Sequence, residues 1–248
     1  MTKFILLCVM SVSITCAFSQ GHYINLSQQL LIAVKYDEDC TSKIDSLANV
    51  LPEVLLNDLN TEDSKKAFWL NIYNSFVQLQ LKKQPEKYKN RKSFYKAKNI
   101  TIAKQTLSLD NIEHGIIRHS KNKLLLGYVN KLFVSKFEKK FRCKKLDNRI
   151  HFALNCGAKS CPPILFYDSK KIDQQLTEAT KGYLLSECEI KNDVIYVPVL
   201  FSWFRGDFHG KKNIKKFLLE YNIINPTQNI NTIKFIKYNW TLTLSQYQ

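Results

Sequence analysis

The chain has 248 residues, 37 Lys and Arg against 21 Asp and Glu, and a formal net charge of +16 at pH 7. That length suits one large domain or two small ones, and 45% hydrophobic residues are enough to enclose a sizeable core. The basic excess is spread through a Lys-, Asn- and Ile-rich sequence with no nucleic-acid-binding motif, so no nucleic-acid partner is expected.

Residues 1–19 read as an export signal. Lys3 supplies a positive start, and the apolar stretch from Phe4 to Phe18 is shorter than the roughly 20 residues of a membrane span. Ala17 and Ser19 place small residues at a cleavage site, which leaves Gln20 as the mature start. Lipid anchoring at Cys16 is the lesser alternative, because Thr15 is bulkier than such sites usually accept. These features predict a secreted or periplasmic protein whose residues 20–248 form a single domain without a transmembrane span. Of the seven cysteines, removing Cys8 and Cys16 leaves five, Cys40, Cys143, Cys156, Cys161 and Cys188. An odd number leaves at least one thiol unpaired within the chain.

Residues 24–35 and 41–50 read as modest helices, with Pro52 as a break. From Thr61 to about Gln84 a stronger helix is expected, with Thr61 as N-cap and Glu62 and Asp63 in the first turn. At 3.6 residues per turn, Asn71, Asn74, Ser75 and Gln78 gather into one stripe, and apolar residues cover the rest. A helix apolar over most of its circumference belongs at the centre of a fold. Its stripe either ties the helix to neighbouring loops or, through Asn71 and Asn74, binds substrate.

Residues 82–104 form a basic connection with a strand near 99–103. Ser108 then caps a helix on which Leu109, Ile112 and Ile116 share a face with Glu113. A carboxylate on an apolar face needs a partner or a raised pKa, and His114, His151 and Arg149 are the partners on offer.

The apolar run from Ile150 to Leu154 reads as a short buried strand that breaks into Asn155-Cys156-Gly157. Gly157 permits a bend, and Pro162 and Pro163 stiffen the exit. A cysteine there can be stabilised as a thiolate, with the amides of Gly157 and Ala158 available to an oxyanion. A Cys156–Cys161 disulfide would remove that nucleophile, and a small buried core cysteine is the plainer alternative. Further on, Ile172–Leu185 reads as a helix, Glu189–Val197 as a hairpin around Asn192-Asp193, Lys211–Tyr221 as an amphipathic helix and Ile233–Leu244 as a closing strand.

The segments Ala67-Phe68-Trp69-Leu70-Asn71-Ile72-Tyr73-Asn74, Ser108–Arg118 and Asp147–Pro163 resemble the first three motifs of the family called domain of unknown function 547. Ser202–Phe208 and Tyr238–Leu242 resemble its closing segments. Asn148 and Asn239 depart from the proline and aspartate common in the family. The resemblance implies a shared fold and supplies no reaction.

The expected fold is α+β: one largely helical domain with a small antiparallel or mixed sheet around a buried central helix, in a papain- or transglutaminase-like form. Two function classes follow. In the first, a cysteine-dependent hydrolase or acyl transferase attacks an amide or ester in a peptide or cell-envelope component. Cys156 is its nucleophile, His114 its base with His151 as the alternate, and Glu113 its third group. His114 ranks first because His151 and Cys156 would face opposite ways on a regular strand. In the second, a non-catalytic cell-envelope binding or scaffold module uses the same residues as a polar core. No cofactor is expected, and His114, His151, Cys156 and Cys161 are too irregularly spaced for a convincing metal site.

Overall fold

The computed structural model describes residues 21–248, so the expected export signal and Cys16 lie outside the described residues. Three helices, α1 (His22–Lys35), α2 (Thr41–Asn49) and α3 (Pro52–Asp58), lead into the 22-residue α4 (Glu62–Lys83). Thr61 caps α4 reciprocally with Ser64, and Glu62 and Asp63 lie at its positive end. Every residue from Ala67 to Gln78 is buried, which makes α4 the central helix expected from its apolar circumference.

The three amides of the polar stripe of α4 are committed to the protein itself, while the buried Ser75 hydroxyl has no hydrogen-bond partner among the described residues. Asn71 donates to the Ser27 hydroxyl and the Tyr167 carbonyl, and accepts from the Tyr167 amide. Asn74 donates to the Ala153 carbonyl at 3.0 Å and accepts from the Asn155 amide at 2.9 Å. Gln78 donates to the Asn155 side chain and accepts from the amide of Ser245. The two asparagines therefore fasten loops to the helix, and both are fully buried. Replacing Asn74 with Leu should strand a buried carbonyl and amide and lower stability by about 1–3 kcal/mol. Chemical denaturation checks it; an unchanged midpoint would mean that the loop is held by other contacts.

The chain continues through α5 (Arg91–Lys96) and the antiparallel hairpin β1 (Ile100–Ile102) and β2 (Gln105–Leu107). Residues Asn111–Ile117 then wind as a π-helical turn, followed by α6 (Lys136–Phe141) and a 3-10 turn at Asn148–Phe152. The last third comprises α7 (Ile172–Glu187), β3 (Glu189–Lys191), β4 (Val194–Pro198), α8 (Leu200–Trp203), α9 (Lys211–Glu220) and β5 (Thr232–Ile236). β3 and β4 form the expected antiparallel hairpin, while β5 joins β4 in parallel and gives a mixed three-stranded sheet. About 51% of the model is helical and 11% is strand, so the α+β, largely helical reading holds for a single compact domain.

Two elements differ from expectation. The closing strand is shorter than 233–244 and ends at Ile236; beyond it the chain makes an isolated bridge from Leu242 to Ala158. Residues 150–154 are not a strand. Asp147 accepts the Arg149 amide and starts a 3-10 turn, while Asn74 holds Ala153 and Asn155 at its exit. An Asx cap and a buried amide clamp outweigh the β propensity of a five-residue apolar run.

Candidate functional site

Two clusters of buried side chains meet at that 3-10 turn. Ile150 and Ala153 belong to the cluster around α4, whereas Phe152 joins the aromatic cluster of Phe201, Phe208 and Phe217. A cleft of about 540 Å³ opens at this junction. It is lined by Cys156, His151, His114 and Glu113, together with Tyr238, Trp203 and Phe204. The four residues expected to do chemistry are thus brought to one cavity from separate segments of the chain.

The π winding sets the first wall. Its amides reach back five residues, Arg118 to the Glu113 carbonyl and Ser120 to that of Gly115, each at 2.8 Å. Ser108 and Asn111 cap its start reciprocally, as the Ser108 N-cap reading required. Glu113 accepts from the Tyr73 hydroxyl at 3.1 Å, and His114 Nδ1 lies 3.4 Å from its other oxygen. Burial raises the Glu113 pKa and Asp110 adds to this, against the pull of Arg118 and Lys123. Arg149, one of the partners expected for Glu113, instead pairs with Asp147 and Asp173. Tyr73, on α4, takes that place.

Behind the wall runs a buried chain of four side chains. Arg118 Nη1 lies 2.7 Å from His114 Nδ1, and its Nε and Nη2 reach Asp207 Oδ2 at 2.8 and 2.7 Å. His151 Nε2 meets the same Oδ2 at 2.8 Å. Arginine can only donate, so His114 Nδ1 accepts and its proton sits on Nε2, 3.7 Å from Asp110. Burial first, then the Arg118 charge, lowers the His114 pKa well below the ordinary histidine value. Burial also pushes His151 down to about 4, although Asp207 pulls the other way. Asp207 stays a carboxylate: burial raises its pKa, but the His151 hydrogen bond and the Arg118 charge overcome this and leave it lowered. His151 at neutral pH is therefore uncharged, donates its Nε2–H to Asp207 and keeps Nδ1 as an acceptor. Its ring stacks on Phe204 with centroids 3.9 Å apart, which fixes its plane.

Cys156 is joined to Cys161 in a disulfide, so the free thiol expected at Cys156 is not present in this form. Cys161 is buried and Cys156 is partly exposed. The Cys161 sulfur receives the amides of Cys156 at 2.9 Å and Ala158 at 3.2 Å. The Tyr238 hydroxyl sits 3.2 Å from each sulfur. The Gly157 amide donates to the Asn155 side chain. Neither Gly157 nor Ala158 therefore offers its amide to a substrate oxygen, contrary to the expectation for an oxyanion site. Gly157 itself has φ +82, and an added Cβ would come within 2.8 Å of Leu81, so glycine is required at this bend.

A family model described as "Protein of unknown function, DUF547" matches residues 56–184. The chain belongs to the DUF547 family. No curated protein and no solved structure matches it. A papain- or transglutaminase-like form is accordingly not confirmed for this DUF547 chain. The matched stretch carries Glu113, His114, His151 and Cys156, while Asp207, Tyr238 and the aromatic wall of the cleft come from residues beyond it.

Sequence reasoning missed Asp207, Arg118 and Tyr238 as members of the site. Asp207 stood in the conspicuous aromatic run Phe201–Phe208, where a lone carboxylate among aromatics signals a buried ion pair. Asn155 was also passed over, though it is fully buried, accepts from Gln78 and Gly157 and donates to the Pro162 carbonyl. Among the described residues, no group of three or more His, Cys, Asp or Glu is placed to hold a metal, and no helix is long and apolar enough to cross a membrane.

Proposed function

We propose that this DUF547 protein is a cysteine-dependent hydrolase or acyl transferase whose nucleophile, Cys156, is released by reduction of its bond to Cys161. The observation that carries this reading is His151, which lines the same cleft as Cys156 and is held from behind by the buried Asp207. Two electrons and two protons from a small-molecule or protein dithiol convert the disulfide to two thiols, and the dithiol becomes a disulfide in turn. His151 Nδ1 then takes the Cys156 proton as the sulfur attacks an ester or amide carbonyl. Burial keeps the Tyr238 phenol protonated, its pKa raised, so its hydroxyl beside the sulfur can donate to the developing oxyanion. His114 lines the same cleft with its proton on Nε2 and is assigned as a second donor. Collapse expels the alcohol or amine, protonated by His151, and water or an acceptor amine takes the acyl group from sulfur.

Glu113, our expected third group, is assigned a different role in this scheme: it accepts from Tyr73 at the cleft wall, and Asp207 orients the base. Export through residues 1–19 belongs to the same proposal, since a stable disulfide suits an oxidising compartment. Peptide or cell-envelope acyl groups are the substrates such a location would offer.

Reduced protein should turn over a p-nitrophenyl ester with a burst matching one acyl group per chain, and Cys156→Ala should remove the burst. His151→Ala and Asp207→Asn should each lower the acylation rate by about 100-fold or more. No burst in the reduced protein, or one unchanged in Cys156→Ala, would overturn the assignment.

A further inference from the structure

Beside the cleft, residues 119–137 carry Lys121, Lys123, Lys131 and Lys136 and not one Asp or Glu. The same segment exposes several large apolar side chains. Leu132 is 90% and Phe133 93% exposed, and Leu125, Tyr128 and Val129 are 47%, 55% and 47% exposed. Large apolar side chains nearly bare to solvent, and contiguous in one loop, mark a surface that something covers.

The loop is built to hold this display in place. Lys121 and Asn130 form an antiparallel bridge, the Asn122 amide donates to the Val129 carbonyl at 2.8 Å, and the Lys131 amide donates to the Ser120 carbonyl at 2.7 Å. Its inner edge is pinned by the Gly206 amide, which donates to the Leu126 carbonyl at 2.7 Å. Gly127 packs there so closely that an added Cβ would overlap the Asp207 carboxylate. The middle of the loop thus packs on the same buried Asp207 that holds His151, and Leu132 and Phe133 stand exposed just past its closing bridge. Leu126 and Lys123 also line the cleft.

We propose that this loop is a docking surface for an anionic lipid bilayer, with Leu132 and Phe133 inserted at the headgroup level and the lysines against the lipid phosphates. The occupant is chosen by charge and shape together. Lys123 and Lys131 already pair with Asp110 and Glu138, whereas Lys121 and Lys136 form no ion pair among the described residues. A second copy of this strongly basic chain would set lysine against lysine, and a neutral apolar partner would leave Lys121 and Lys136 uncompensated. An anionic membrane satisfies both at once, because aromatic and aliphatic side chains flanked by lysines favour the lipid–water interface. Docked this way, the cleft opens beside the membrane surface, which suits an acyl-bearing lipid or envelope component as substrate.

The test uses the full chain and a Phe133→Trp variant with phosphatidylglycerol vesicles that contain a brominated lipid. Tryptophan at position 133 should give extra emission that is blue-shifted and quenched by the bromine, and phosphatidylcholine vesicles should leave it unchanged. Leu132→Ser/Phe133→Ser should lower sedimentation with the anionic vesicles by about tenfold, and raising the salt should lower that of the parent chain. An unquenched residue 133 would overturn the proposal, even if the chain sediments through another segment. So would a concentration-dependent dimer that the double variant abolishes, which would assign the loop to a second copy of the chain.

Discussion

Asp207→Asn is expected to cost about 3–5 kcal/mol of stability and to abolish thiol activation at the same time. The carboxylate oxygen Oδ2 accepts from Arg118 Nε and from His151 Nε2 and lies in ion-pair contact with Arg118 Nη2, and the Arg118 and Asp207 side chains are 1% and 0% exposed. Asparagine leaves a buried guanidinium without its counter-charge. It also removes the group that fixes the His151 proton on Nε2. Arg118 would still touch His114 and the face of Phe204, 4.5 Å from its ring centre, so its position should survive even as its energy worsens. Urea denaturation at pH 7 measures the effect. A loss below about 1 kcal/mol would mean that water reaches the pair and that the buried chain is weaker than its geometry implies.

The second large effect is a loss of stability in mild acid. His151 is pushed down to about 4 in the folded protein against 6.5 for an ordinary histidine, first by burial. The unfolded chain therefore binds a proton between those values and the folded chain does not, so stability falls as pH drops. The difference between these two values corresponds to something on the order of 3 kcal/mol, fully present above about pH 6.5 and lost by about pH 4. His114, lowered for the same first reason, adds in the same direction. Asp207, lowered by its partners, extends the loss below the ordinary carboxylate range. Melting temperature followed from pH 7 to pH 4 should fall steeply, and His151→Gln should flatten that fall. A melting temperature insensitive to pH across this window would contradict a buried neutral His151.

The sequence made the central helix legible because its signal is redundant: a cap, an acidic first turn, an uncharged run and a single amide stripe all agree over α4. What it could not reveal was the direction of that stripe. Asn71 and Asn74 fit either a substrate seam or a loop clamp, and only the positions of Tyr167, Ala153 and Asn155 show the clamp. The grouping of Cys156, His114, His151 and Glu113 in one cleft was also accessible, through the chemistry of each residue and its order in the chain. Their roles were not. The preference for His114 over His151 rested on strand alternation, which does not apply to the 3-10 turn at Asn148–Phe152. The preference for Glu113 as the orienting acid came from its neighbours on a helical face. The acid that meets His151 lies 56 residues further along the chain, at a separation no local pattern encodes.

The account turns on whether His151 activates Cys156, and the rate of iodoacetamide alkylation against pH measures this directly. Reduced protein would be alkylated from pH 4 to pH 10, with each cysteine resolved by peptide mass spectrometry. Burial holds Cys143 and Cys188 up to about 12, so these thiols serve as slow internal references. Cys156 should react preferentially near neutrality, with an inflection well below the ordinary thiol range, and His151→Ala should move that inflection upward and slow the reaction at pH 7 by about tenfold or more. A Cys156 profile that coincides with those of Cys143 and Cys188, or one that His151→Ala leaves unchanged, would contradict it.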